Sequence, residues 1–230
     1  MTNTDESDFA KRHPGDGQKF ADLIHGVRPD WDVTSYKVTD GIFPEDCRAY
    51  DGLMITGSPA SVLDTLPWVE QLLDLIRTAH DADVPMFGAC FGHQAIAMAL
   101  GGRVERNPAG WGFGLIDMSV QAEAPGLAGR DRVLQYGAHI DHVTALPKDA
   151  RVLFSADHCP IAGFAIGDRV YTTQNHPEMT PGFIAALVEE YADKLDPQAV
   201  AKARQSLRRE ADNAVFANSI ATFFEAATGV

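Results

Sequence analysis

The chain has 230 residues, of which 45% are hydrophobic, and its 19 lysines and arginines against 32 aspartates and glutamates give a formal net charge of −13. This length supports one large domain with its own core, while the acidic balance argues against nucleic-acid binding, which needs a basic surface. No apolar run approaches the roughly 20 residues that cross a membrane, and the polar N-terminus lacks the apolar segment of a secretory signal, so we expect no membrane association.

In the first hundred residues, predicted helices alternate with predicted strands. Apolar residues recur at the helical period of 3.6 after Pro67, and a proline in the first turn favours a helix start. The predicted strands are 32–38, 53–56 and 84–89, and the predicted helices are 17–27, the helix that begins at Pro67, and 91–100. Such an alternation is typical of a parallel sheet with helices on both faces.

Beyond Gly101 the sequence changes to short strands separated by turns, followed by helices. The predicted strands are 103–106, 114–120, 133–137, 150–155, 161–166 and 169–173, and the predicted helices are 181–194 and 197–227, the latter broken near residues 212–213. The predicted fold is therefore a three-layer α/β fold with a mostly parallel central sheet, helices on both faces and a small antiparallel β layer. Because no repeat or linker interrupts the chain, we expect a single domain over 1–230, with 195–230 as a C-terminal helical extension.

Residues 88–92, Gly-Ala-Cys-Phe-Gly, join a predicted strand to a predicted helix. Glycines two residues on either side of Cys90 permit a sharp turn that presents the thiol at the carboxyl edge of the sheet. The N-terminus of a helix stabilises a thiolate, and the backbone N–H of Phe91 points the same way, toward a developing oxyanion. The alternative is a buried free cysteine beside a tight turn. The flanking glycines and the strand–turn–helix context favour a nucleophile.

A thiol nucleophile needs a base, and the base needs a group that orients it. His176 directly follows a predicted strand, which brings it to the same sheet edge as Cys90. Glu178, two residues later, can reach back to the imidazole across the turn that Pro177 stiffens. A His-Pro-Glu segment alone is usually a surface turn. With a cysteine at a sharp turn in the same chain, the catalytic interpretation is favoured.

These segments resemble the class I, triad-type glutamine amidotransferases, and in particular stand-alone members similar to the glutaminase domain of GMP synthase. Residues 88–94 match that family's G-x-C-x-G-x-Q motif, and residues 174–178 match its Q-x-H-P-E motif. Thr56-Gly57-Ser58-Pro59 corresponds to its Gly-Gly-Pro oxyanion loop, with Ser58 in place of the second glycine. The resemblance spans residues 9–190 and implies a flavodoxin-like fold.

The resemblance also implies a role for each matching residue. Cys90 would be the nucleophile that forms a γ-glutamyl thioester, His176 the base and then the acid, and Glu178 the group that orients His176. The remaining implied positions are an oxyanion hole at Gly57, Ser58 and Phe91, and substrate-binding residues Gln94, Gly110, Trp111, His139 and Asp141.

His139, Asp141 and His142 also have side chains that bind metals. The resemblance accounts for the same segment as the rim of an active site without a metal, so we expect neither a metal nor a cofactor. We interpret His158-Cys159 as a buried turn rather than a site.

The start of the chain departs from the family. That fold opens with an apolar parallel strand near the centre of its sheet, and here only Met1 to Thr4 precede the matching residues. A central strand that is lost leaves ladder groups unpaired, which is costly. We therefore expect either a very short first strand or a start assigned too late in the chain.

Two roles remain open for the implied chemistry, together with one non-enzymatic alternative. The chain would be a free-standing hydrolase of γ-glutamyl amides (glutamine, γ-glutamyl peptides or γ-glutamylated amines), or a glutaminase subunit that supplies ammonia to a partner synthetase. A regulatory domain on the same fold is the third possibility, but no triad residue is missing. The three cysteines fit no paired framework, which favours a reducing, cytoplasmic location.

Overall fold

A computed structural model of the chain describes residues 7–229. The strands are β1 (Leu53–Ile55), β2 (Met86–Ala89), β3 (Arg103–Arg106), β4 (Gly112–Val120), β5 (Arg132–His139), β6 (Asp141–Ala145), β7 (Ala150–Ala156), β8 (Cys159–Ile166) and β9 (Val170–Thr173). The helices are α1 (Asp16–His25), α2 (Pro67–Asp81), α3 (Phe91–Ala99), α4 (Pro181–Glu190), α5 (Pro197–Ser206) and α6 (Asn213–Thr228). The expected first strand at Met1 to Thr4 lies outside the described residues.

The main sheet has seven strands in the order β1-β2-β9-β8-β7-β4-β5. The first three strands are parallel, with Ile55 beside Gly88 and Ala89 beside Thr173. Their carboxyl ends therefore meet at one edge of the sheet. The other strands pair antiparallel. The sheet curls until its last strand, β5, meets the segment after β9 through a bridge between Tyr136 and His176.

The predicted α/β class is confirmed, with helices against both sheet faces and an antiparallel part. Most of the antiparallel strands continue the main sheet, and a separate two-stranded sheet pairs β3 with β6. Strand β6 was not predicted; it follows β5 after the single residue Ile140. No turn residue such as glycine or proline separates these two strands, so the sequence carries no signal for the boundary.

The predicted strand at 32–38 is wrong. Residues 32–36 have no regular secondary structure, and Val38 begins a short 3₁₀-helix, Val38–Asp40. The apolar residues of this alternation still pack in the protein interior. Val33 packs on one core cluster, while Tyr36 and Val38 pack on another. The alternation therefore reports side-chain burial rather than a continuous strand, since Lys37 alone of these residues is in a β-bridge.

The two faces of the parallel strands bury different helices. Along β2, Met86 packs in a cluster with α2 and α3, whereas Phe87 packs in a cluster with α1 and α6. Successive side chains of a strand point to opposite faces, so both faces of β2 require apolar residues. A third cluster joins α4 and α5 to β4 and β5. Within residues 7–229, no helix combines the length and apolar character that crossing a membrane requires.

The C-terminal helices contact the rest of the chain at specific points. The side chain of Phe216 on α6 is fully buried against the sheet. At the start of the same helix, Asn213 Nδ2 donates to the backbone oxygen of Met179 over 2.6 Å. Just before it, Asp212 is hydrogen-bonded to the backbone of Leu134 on β5 through both its amide and its carboxylate. The residues from 212 onward therefore hold both β5 and the segment after β9.

Glycine at 92 lets α3 lie directly on β1. A Cβ atom at this position would lie 2.8 Å from the carbonyl carbon of Ile55 and closer still to its oxygen. A Cβ atom at Gly88 would likewise lie 2.7 Å from the backbone of Gly92. The Gly92 amide donates to the Thr56 oxygen over 3.1 Å, so the close approach also forms a hydrogen bond.

We predict that Gly92→Ala destabilises the protein by about 1–3 kcal/mol, because the added methyl group overpacks against backbone that has no room to move. Gly182→Ala is the matched control, since Gly182 is also helical and a Cβ atom there meets nothing within 4 Å. The control substitution should be neutral or stabilising by up to about 1 kcal/mol. Urea unfolding measures both, and equal stabilities of the two variants would contradict the packing argument.

Candidate active site

Cys90 occupies a strained turn between β2 and α3. Its backbone angles are φ 50° and ψ −106°, a region of positive φ that costs a residue other than glycine of the order of 1–3 kcal/mol. The turn is held because the Cys90 amide donates to the Thr173 oxygen over 2.9 Å, which ties it to the end of β9. The side chain is 5% exposed and faces a cavity.

His176 and Glu178 lie in the segment that follows β9. The His176 amide donates to the Tyr136 oxygen over 2.7 Å, and His176 Nδ1 lies 2.6 Å from Glu178 Oε1. Both side chains are almost fully buried. Burial opposes a charge on the imidazole, but the Glu178 carboxylate, and after it Cys90, to which His176 is also hydrogen-bonded, raise the pKa of His176 well above its usual value. The site therefore favours an imidazolium.

The loop after β1 forms the third side of this group. A Cβ atom at Gly57 would lie 2.6 Å from Cε1 of His176, so glycine is needed for the loop to lie this close to the imidazole; the same atom would be in ordinary contact, at 3.6 Å, with Cβ of Cys90. Ser58 follows on the wall of the same cavity. Phe91 is the first residue of α3, where a backbone N–H has no acceptor within the helix. Backbone from two elements, the loop after β1 and the start of α3, thus borders Cys90.

The residues singled out from the sequence surround one cavity of about 870 Å³. Those on its wall are Gly57, Ser58, Cys90, Phe91, Gln94, Trp111, His139, Asp141 and His176. Glu178 lies behind His176, away from this cavity. Gly110 is likewise not on the wall; it has a φ of 88° and closes a turn onto Asn107, which sets the position of Trp111.

Gln94 is fixed by its amide nitrogen. Its Nε2 donates to the backbone oxygen of Asp141 over 2.8 Å and to Gln174 Oε1 over 3.2 Å. The Asp141 carboxylate accepts from Ser61 Oγ over 2.5 Å, which links β6 to the loop after β1. Ser61 was not predicted as part of the site, because a serine in a loop carries no signal of this contact.

His139 is held as a neutral side chain. Its Nδ1 donates to the Asp141 backbone oxygen over 3.2 Å, and its ring stacks on His158. Burial, reinforced by His158, lowers the pKa of His139 to about 3. His142 points to the opposite face of β6 from Asp141, because neighbouring residues of a strand alternate. Among residues 7–229, no group of three or more histidines, cysteines, aspartates and glutamates is arranged to hold a metal ion.

A charged pair on the cavity wall was also not predicted. Lys19 Nζ lies 3.0 Å from Asp16 Oδ1, and both residues line the cavity from the first turn of α1. Lys19 Nζ also lies 3.7 Å from the ring centre of Phe183. In the sequence these residues look like the ordinary polar face of an amphipathic helix, so no local pattern distinguishes them.

The chain is similar to known proteins over most of its length. Residues 27–189 match the family described as glutamine amidotransferase class-I. The chain is 29% identical over 211 residues to gamma-glutamyl peptidase 3 of Arabidopsis thaliana, covering 83% of this chain and 84% of that protein. It is 32% identical over 166 residues to a glutamine-hydrolyzing GMP synthase subunit of Halobacterium salinarum, covering 70% and 84%. A glutamine amido transferase structure from Methylobacillus flagellatus has a TM-score of 0.73 and 25% identity, covering 93% and 89%.

We predict that an electrophile such as iodoacetamide labels Cys90 before the other two cysteines. Cys47 and Cys159 are free and buried, and burial raises the pKa of the Cys159 thiol to about 12. Cys90 alone among the three lines the cavity. Peptide mapping by mass spectrometry after brief labelling gives the order, with Cys90→Ser as the control that should lose the early label. Equal labelling of all three cysteines in the folded protein would contradict the prediction.

Proposed function

Since the chain belongs to the class-I glutamine amidotransferase family, we propose that it hydrolyses γ-glutamyl amides through a thioester on Cys90. The proposal rests on one observation. Three parallel strands end side by side, so that the loop at Gly57, the Cys90 thiol at its strained turn and the His176–Glu178 pair lie together at one cavity. Each of these parts has a defined task in acyl transfer.

In the first half of the proposed reaction, the Cys90 thiolate attacks the γ-carbonyl carbon of the substrate. The oxygen of that carbonyl becomes negative and accepts hydrogen bonds from the backbone amides of Ser58 and Phe91. The His176 imidazolium then gives a proton to the leaving nitrogen, the C–N bond breaks, and the amine departs. The γ-glutamyl group remains on sulfur as a thioester.

In the second half, water replaces the amine. His176, now neutral, takes a proton from the water as it attacks the thioester carbon, and the same amides stabilise the second oxyanion. The C–S bond breaks, the thiolate returns, and glutamate leaves. Glu178 holds Nδ1 of His176 throughout the reaction, so that Nε2 of His176 faces the reacting atoms. The carboxylate also stabilises the His176 imidazolium in both halves of the reaction.

The glutamyl half of the substrate would be recognised by the inner wall of the cavity. The nitrogen of Gln94 is already committed to Asp141 and Gln174, which leaves its carbonyl oxygen for the α-ammonium group. Trp111, carried by the turn at Gly110, and the residues His139 and Asp141 complete the proposed binding set. The substrate is then a small molecule with an intact α-amino acid end.

The size of the cavity favours a free-standing hydrolase. About 870 Å³ lies in the upper part of the range of roughly 300–1,000 Å³ that suits drug-sized ligands, and glutamine alone would leave most of it empty. The second candidate is a glutaminase subunit that donates ammonia to a separate synthetase, as the similarity to the GMP synthase subunit suggests. A non-enzymatic domain is disfavoured because the three triad residues are in contact.

A panel of amides tests the proposal. Purified protein should release glutamate from glutamine and from γ-glutamyl ethylamide without a partner. Asparagine, which is one methylene shorter, should be a poor substrate. Glutarate monoamide, which lacks the α-amino group, should be poorer still, by up to about 10⁴-fold, because it leaves polar groups of the pocket unpaired. Cys90→Ala should release none. If glutamine alone were turned over, and only after a synthetase was added, the ammonia-donating subunit would replace the hydrolase. If no amide were cleaved under any condition, the non-enzymatic alternative would stand.

Glu178→Gln should reduce turnover without abolishing it, and should shift its pH dependence. Removing the carboxylate removes a charge that raises the pKa of His176. The imidazolium is then lost at a lower pH, so the alkaline limb of the kcat profile should move to lower pH. Steady-state assays across pH, with circular dichroism as the folding control, measure the shift. An unmoved limb would mean that Glu178 does not set the charge of His176.

A further inference from the structure

We propose that an aromatic wall on the outer side of the cavity binds the amine half of the substrate and selects amides of neutral aromatic amines. We define this aromatic wall as Trp111, Phe113, Leu187 and Tyr191, with Trp111 at its border with the glutamyl-binding set, where its ring would contact both halves of the substrate. The inference rests on the proposed function, because it assigns the leaving group of that same reaction.

The aromatic wall is a connected surface that borders the nucleophile's cavity. The ring centres of Trp111 and Tyr191 lie 5.8 Å apart, those of Trp111 and Phe113 6.2 Å, and those of Phe113 and Tyr191 6.0 Å. All four residues line the cavity that holds Cys90. They form the outer part of the third core cluster, and Trp111, Leu187 and Tyr191 are only partly buried. Apolar surface is thus left facing the cavity.

Strand register places Phe113 of this wall near His176. Tyr136 bridges to His176, and Ala138, two residues further along β5, is directly opposite Phe113 on β4. With strands roughly 4.8 Å apart and about 3.4 Å per residue, the Cα atoms of His176 and Phe113 lie within about 12 Å. A side chain attached to the scissile nitrogen would extend toward this wall, whereas ammonia, the leaving group of glutamine, is too small to contact it.

Two aromatic rings, one in this wall and one beside it, already have an ammonium group on one face, which favours a neutral amine. Lys194 Nζ lies 5.0 Å from the ring centre of Tyr191. At the neighbouring Phe183, which also lines the cavity, Lys19 Nζ lies 3.7 Å from the ring centre. Ammonium groups therefore already use the faces on which a cationic amine would be attracted. Both ammonium groups are already ion-paired, Lys19 with Asp16 and Lys194 with Glu190, so these ring faces offer a cationic amine no further attraction, while an uncharged aromatic ring would pack on the remaining surface.

The test compares three substrates that share the glutamyl half: γ-glutamyl phenethylamide, γ-glutamyl ethylamide and γ-glutamyl putrescine. We expect kcat/KM for the phenethylamide to exceed that for the ethylamide by ten- to one-hundred-fold, and the putrescine amide to show no such gain. Tyr191→Ala and, independently, Leu187→Ala should each lower this phenethylamide-to-ethylamide ratio at least fivefold. Tyr50→Ala, a partly buried tyrosine away from the cavity, should leave the ratio as it is.

The outcomes separate this inference from the proposed function. Equal kcat/KM for the phenethylamide and ethylamide, or a preference for the putrescine amide, would overturn the aromatic subsite while leaving γ-glutamyl hydrolysis intact. A proportional loss of both activities in the folded Tyr191 and Leu187 variants would also overturn it, because it would indicate a general structural effect. Failure to cleave any of the three amides would instead contradict the proposed function.

Discussion

The parallel pairing of β1, β2 and β9 is the constraint on which the rest of the site depends. Because the three strands run in the same direction with Ile55 beside Gly88 and Ala89 beside Thr173, their carboxyl ends finish at one level. The loop at Gly57, the thiol of Cys90 and the segment of His176 then emerge side by side. A slip of one residue between two of these strands would turn every side chain to the other face and separate the groups.

Close backbone contacts keep this edge rigid enough to hold a strained residue. The helix that begins after Cys90 lies against β1 because Gly92 has no side chain, and its amide bonds to Thr56. The strained turn is also tied to β9 through Thr173. A residue keeps such an unfavourable backbone conformation only where several independent contacts hold it in place. At Cys90, the neighbouring glycines and the backbone hydrogen bonds together hold the backbone in this way.

Local sequence patterns predicted the parts of the site that depend on neighbouring residues. The turn around Cys90 and the His176–Glu178 pair are short-range features, and alternation of helices and strands was enough to bring them to one edge. What the sequence did not reveal depends on distant contacts. The Asp16–Lys19 pair faces the cavity because of how α1 packs, and β6 forms because β3 lies beside it. The alternation of apolar and polar residues at 32–38 led to a wrong strand prediction, because side-chain burial alone produces the same sequence pattern as pairing in a β-ladder.

The hydrogen bond from Asn213 to Met179 has a consequence for how the protein matures in the cell. The segment that carries His176 and Glu178 is supported from residues about 35 positions later in the chain, at the start of a helix whose Phe216 side belongs to the core. During synthesis, a ribosome has already released the strand bearing Cys90 long before it makes this helix. The nascent chain therefore contains the Cys90 thiol well before it contains Asn213, and the segment of His176 and Glu178 gains this hydrogen bond only after translation has passed residue 213.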